Sequence, residues 1–226
     1  MRTFNALIKT SLCAASFTAV SLSAHAALFA RPGGMVYDSD QNITWLADWN
    51  YAETSGFDEY GRMDWTTANA WADSLVFGGY SDWRLPTSNP TASSHCDESF
   101  DPAGRPPVQY YGYNCTGSEM GHLFYIDLGA PQGNSILSGS NTANLRLFTN
   151  MQSYAYWSGT EFVGGRNRAW FFNANSGYQT VANTGREYFA VAVRPGDVAA
   201  VPEPQTVALM LAGLSTLAVA RRRRTR

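Results

Sequence analysis

Two apolar runs bracket this chain, and no run of comparable length lies between them. That division decides which residues have to make a fold. Residues 1–26 begin with basic Arg2 and Lys9, continue through an apolar stretch from Leu12 to Leu22, and close on Ala24-His25-Ala26. A small-x-small triplet after such a stretch is what a signal peptidase cuts, here after Ala26. The stretch is shorter than the ~20 residues a membrane-spanning helix needs, so a cleaved leader is expected. Cys13 follows Leu12, where a lipoprotein would carry a small residue, so no lipid anchor is expected.

At the other end, Val201-Pro202-Glu203-Pro204 precedes an apolar run from Val207 to Ala220, and Arg221, Arg222, Arg223 and Arg224 follow it. As a helix that run spans about 21 Å, short of the roughly 30 Å hydrocarbon core. The arginine cluster would hold its end on the cytoplasmic side. The three parts, in this order, resemble the PEP-CTERM sorting signal. The resemblance implies an exosortase as partner and a transient stay of the tail in the inner membrane. It also implies export to the surface, extracellular matrix or periplasm of a Gram-negative bacterium that makes exopolysaccharide. A plain C-terminal transmembrane helix is the alternative.

The middle, 27–200, carries nine Arg, no Lys and seventeen acidic residues, a net charge of minus eight. Such a surface has no electrostatic footprint for nucleic acid, which is dropped as a partner. It also argues against a broad polyanion-binding face, while leaving room for a local arginine patch. Its length suits a single domain with one core. It is rich in aromatic residues and in Gly, Asn, Ser and Thr, the texture of short strands and many turns with large rings filling the interior.

After leader removal two cysteines remain, Cys96 and Cys115. Outside the cytoplasm a disulfide is the simplest reading. Free thiols are one alternative. A Cys2His2 zinc site with His95 and His122 is another, although neither spacing matches paired-ligand patterns.

Residues 35–47 read as a hairpin whose turn holds Asp38, Asp40 and Asn42. That alternation resembles a calcium loop, but Ile43 and Trp49 stand where such a loop needs Gly and Glu. Asp64 can cap a helix from Trp65 to Phe77, with Ala68, Trp71, Ala72 and Leu75 inward and Gly78-Gly79 ending it. In the dense run that follows, Trp83 is expected in the core, and Asp82 and Arg84 are expected to pair or to satisfy nearby backbone. A second helix is expected from Ser118 to Gly129, with Met120, Leu123, Phe124 and Ile126 or Leu128 inward. Strands are expected at Tyr154–Thr160, Arg168–Asn173, Gly177–Val181 and Tyr188–Val193, the last with Phe189, Val191 and Val193 on one face. Helices early and strands late make an α+β domain with an antiparallel sheet.

Several pieces occur together in order: Ile43-Thr44-Trp45-Leu46, the run Gly78-Gly79-Tyr80-Ser81-Asp82-Trp83-Arg84-Leu85-Pro86-Thr87, Ser118-Glu119-Met120-Gly121-His122-Leu123-Phe124, Tyr156-Trp157-Ser158-Gly159-Thr160, Ala169-Trp170-Phe171-Phe172 and Ala192-Val193-Arg194-Pro195. As a set they resemble the Lcl C-terminal domain family. The resemblance implies a compact α+β fold like that of C-type lectins and formylglycine-generating enzymes, with a twisted antiparallel core. It also implies an adhesin-like module, the founding member binding sulfated polysaccharide. No catalytic set comes with it. Glu-Pro-Asn and Trp-Asn-Asp triplets of calcium lectins are absent from the sequence, and no Gly-x-Ser-x-Gly or His-Glu-x-x-His motif is present. The expectation is therefore a non-catalytic exported protein, without cofactor or metal, that binds exopolysaccharide or another envelope component. The candidate ligand-contact aromatics are Trp49, Tyr110, Tyr111 and Tyr113. A structural or protein-interaction role in the matrix is the alternative, and a glycan-acting enzyme a more distant one.

Overall fold

The computed structural model describes residues 28–101 and 107–198. The leader, its cleavage point after Ala26, the Pro-Glu-Pro tail with its arginines, and most of the excursion 101–107 lie outside the described residues. Among the described residues no helix is long and apolar enough to cross a membrane.

In chain order the elements are β1 (Leu28–Arg31), β2 (Met35–Asp38), β3 (Ile43–Leu46), α1 (Tyr51–Thr54), β4 (Arg62–Met63), α2 (Trp65–Ser74), β5 (Glu98–Phe100), β6 (Gln109–Tyr111), α3 (Glu119–His122), α4 (Thr142–Leu145), β7 (Ala155–Glu161), β8 (Arg168–Asn173), β9 (Tyr178–Asn183), β10 (Tyr188–Phe189) and β11 (Val193–Pro195). They form an α+β domain with a four-stranded sheet β1-β2-β3-β11, a five-stranded sheet β4-β10-β7-β8-β9, and the separate hairpin β5-β6. Every pairing is antiparallel except β10 with β7.

The expected 35–47 hairpin forms, and Asp38 shapes its turn by accepting from the backbone N–H groups of Asp40 at 3.1 Å and Gln41 at 3.0 Å. Asp64 caps α2 through the Thr67 N–H at 2.8 Å, and Ala68, Trp71 and Ala72 are buried as expected. The helix stops at Ser74, three residues early, because Leu75 is already extended. Gly78 and Gly79, both at positive φ, instead make the tight turn that bridges Phe77 to Tyr80.

The expected strand Tyr188–Val193 divides. Phe189 pairs with Tyr156 in the five-stranded sheet, and Val193 pairs with Trp45 in the four-stranded one. Between them Ala190, Val191 and Ala192 cross from sheet to sheet, all buried. Alternation on one exposed face is therefore not what this segment needs. The small Ala190 and Ala192 let it be packed from both sides. The second helix is also recast, as the single turn α3 followed by a π turn, Leu123–Asp127. Met120, Leu123, Phe124 and Leu128 are buried, and Ile126 faces solvent.

The five-stranded sheet lies between two apolar clusters. One gathers Trp45, Trp49, Phe124, Tyr156 and Phe172; the other gathers Trp71, Trp83, Leu85 and Trp157 under α2. Asp82 and Arg84 do not pair with each other. Arg84 makes a two-pronged ion pair with Glu119 at 2.6 and 2.8 Å, and Asp82 makes one with Arg194 at 2.8 and 3.0 Å. Two positions apart on an extended stretch they share one side, opposite Trp83, and each finds its own partner, Glu119 in α3 and Arg194 in β11. The Glu119 carboxylate also accepts the Thr87 N–H at 2.7 Å. Its presence holds the Arg84 guanidinium firmly charged, against the desolvation of that side chain.

Glu119→Gln keeps the shape but loses the charge and one acceptor. It is expected to lower the unfolding free energy by about 1–3 kcal/mol, read as a lower urea midpoint at unchanged m-value.

Candidate functional site

Strands β8 and β9 run side by side with Phe171 opposite Thr180 and Arg168 opposite Asn183. Alternation sends Ala169 and Phe171 to the face shared with Trp157, and β10 brings Tyr188 against the same face. Tyr188 packs on Trp157 with ring centroids 4.6 Å apart and on Phe171 at 4.9 Å. The small residues Ala169 and Ala182 leave space there. The result is a cleft of about 380 Å³ lined by Phe171, Tyr188, Thr180, Asn183, Arg168 and Arg186. Both arginines and Asn183 are exposed, and both rings are half-buried. Burial raises the Tyr188 hydroxyl's pKa, and the positive charge of Arg186 opposes that rise. Rings set in a concavity with guanidinium and amide groups can stack on an apolar sugar face and hydrogen-bond hydroxyls or an anionic substituent.

The four aromatics expected from sequence to meet a ligand are placed elsewhere. Trp49 is fully buried, stacked on Trp45 at 5.7 Å and edge-on to Tyr156 at 5.0 Å, so it is a core residue and not a contact residue. Tyr110, Tyr111 and Tyr113 are half-buried at and beyond β6. Tyr111 and Tyr113 pack against Tyr178 at 6.4 and 4.8 Å, and Tyr178 donates its hydroxyl to Glu98 at 3.3 Å. Cys96 and Cys115 are joined as a disulfide that encloses the β5-β6 hairpin. With both sulfurs bonded to each other, a Cys2His2 site is unavailable. Sequence reasoning missed Phe171 and Tyr188 because they stand in strand positions that read as core. Their signal was the nearby Arg168 and Arg186, within a domain otherwise short of positive charge.

A second constellation also escaped the sequence reading. The Asp38 turn, His122 at the end of α3 and Asp127 at the end of the π turn converge, each offering one donor atom within 4.8 Å of the others. His122 Nε2 lies 3.8 Å from Asp127 Oδ2 and 3.7 Å from Asp40 Oδ2. Burial, then the negative charges of Asp38 and Asp40, push the Asp127 carboxyl up to about 8.

The family model of the Lcl C-terminal domain matches residues 34–194, most of the chain, with all of the five-stranded sheet and the four-stranded one apart from β1 and Pro195. The chain belongs to the Lcl C-terminal domain family. The PEP-CTERM protein-sorting motif matches residues 200–224, directly after this Lcl C-terminal domain. The protein is therefore an exported, exosortase-sorted surface protein, carried across the inner membrane to the envelope of a Gram-negative bacterium. No curated protein and no solved structure matches the chain.

The disulfide closes a loop of about 20 residues. Replacing both cysteines, Cys96→Ser with Cys115→Ser, is expected to cost about 3 kcal/mol in urea unfolding, and dithiothreitol should lower the wild-type midpoint to match.

Proposed function

We propose that this Lcl C-terminal domain is a non-catalytic module that binds an acidic exopolysaccharide at the cell envelope. The observation that carries the reading is the β8-β9-β10 cleft, where Phe171 and Tyr188 lie beside Arg168 and Arg186. In a domain of net charge minus eight, two arginines at one concavity favour an anionic sugar over a neutral one. Sorting by the PEP-CTERM tail delivers the protein to the cell envelope, the side of the inner membrane on which an exopolysaccharide would be met. Chemistry on the polymer is not expected, because the residues lining the cleft include no carboxylate pair for glycoside hydrolysis.

Co-sedimentation of the full chain with the host's own exopolysaccharide tests this. Saturable binding at micromolar protein is expected, weakening as salt is raised. The double variant Arg168→Ala, Arg186→Ala alters only exposed side chains and should bind about tenfold or more weakly, at unchanged stability. Saturable binding that ignores both arginines would remove the cleft from the account. No binding at all would turn the reading to a protein partner in the matrix.

A further inference from the structure

We infer that Asp38, His122 and Asp127 form a binding site for a divalent first-row transition cation of the zinc type, one that fastens the β2-β3 turn to the π turn. Three independent features meet there. The first is the donor set: two carboxylates and one imidazole, drawn from segments far apart in sequence, with donor atoms within 4.8 Å of one another. Ligand atoms around a tetrahedral zinc ion stand about 3.4 Å apart. The 3.8 Å between His122 Nε2 and Asp127 Oδ2 is thus a small side-chain adjustment from ligation.

The second is an unsatisfied buried carboxyl group. Asp127 is 1 % exposed, and neither of its carboxylate oxygens has a hydrogen-bond donor among the described residues; His122 Nε2 is likewise buried without a hydrogen bond. A carboxylate removed from water with no donor is costly, and a cation at this point would offset that cost. The third is the backbone. Five residues along an α-helix turn a side chain about 140° away from its starting face. The π turn, closed by the Leu128 N–H to Leu123 carbonyl bond at 2.9 Å, instead brings Asp127 round beside His122. Asn141 and Asn144 hold that turn by donating to the Asp127 carbonyl at 3.1 and 2.8 Å.

The remaining shell fits the same chemistry. Asp38 is oriented by the Asp40 and Gln41 N–H groups and by the Gln41 amide at 2.6 Å, the kind of outer support that fixes a metal ligand. Asp40, exposed to solvent and 3.7 Å from His122 Nε2, adds a further negative charge beside the three donors. An imidazole in the set favours zinc or its neighbours over calcium or magnesium, which prefer oxygen alone.

The test uses the full chain, stripped with chelator and dialysed against zinc chloride. About one zinc per chain should be retained by elemental analysis, and the unfolding temperature should rise by about 5 °C or more when free zinc is a hundredfold above Kd. His122→Gln and Asp127→Asn, each checked for an unchanged near-ultraviolet circular dichroism spectrum, should lose both responses. Zinc retained equally by both variants would overturn the site. So would wild-type protein that ignores zinc, which would leave a shared proton between Asp38 and Asp127 as the account of the cluster. Stabilisation by calcium chloride without any by zinc would overturn the assigned class of metal.

Discussion

The extended segment from Asp82 to Ser88 ties the two main sheets together, because it is bonded to a strand of each and to α3. Its backbone exchanges two hydrogen bonds with Val193, both at 2.8 Å, and so joins the four-stranded sheet. The Pro86 carbonyl accepts from Gly159 and the Ser88 N–H reaches the Ser158 hydroxyl, which joins the five-stranded sheet. Trp83 and Leu85 enter one apolar cluster while Asp82 and Arg84, alternating with them, grip Arg194 and Glu119. Arg194 is further stacked over Tyr80 at 4.1 Å. A seven-residue stretch can make this many connections only if its alternate residues are split between core and charge, so its composition is tightly constrained by geometry.

Much of this was legible in the order of residues. The Asp64 cap, the 35–47 hairpin, the β8-β9 pair and the burial of Trp83 follow from local chemistry, where a side chain acts on neighbours a few positions away. What escaped was non-local. Nothing in the sequence joins Arg84 to Glu119 or Asp82 to Arg194, since charge partners 35 and 112 positions apart have no periodic signal. The run Tyr188–Val193 alternates like one strand, yet it serves two sheets, and only the packing around Ala190 and Ala192 shows why. Trp49 illustrates the commonest hazard with aromatics. A ring suited to a sugar is equally suited to a core, and here the core needed it.

The same reasoning explains why the two constellations on this domain differ in legibility. The cleft is built from residues that strand positions would otherwise hide, and it shows only once β10 is seen to run parallel to β7. The Asp38, His122 and Asp127 cluster depends on a π turn, and a π turn has no sequence pattern distinct from an α-helix. In each case a departure from regular secondary structure aims the side chains.

The register of the four-stranded sheet has a consequence for how the protein is displayed. Leu28 lies opposite Asp38, Asp38 opposite Ile43, and Ile43 opposite Pro195, so the first and last described strands begin and end at one level. Three inter-strand spacings, about 14 Å, separate the chain's entry from its exit. The first and last described strands thus bring the two ends of the described fold to one side of the domain. Beyond β11 the chain is still fastened, by Val198 buried in the core and by the Asp197 ion pair with Arg31 in β1, so these contacts stand between a pull on the tail and the β3-β11 ladder.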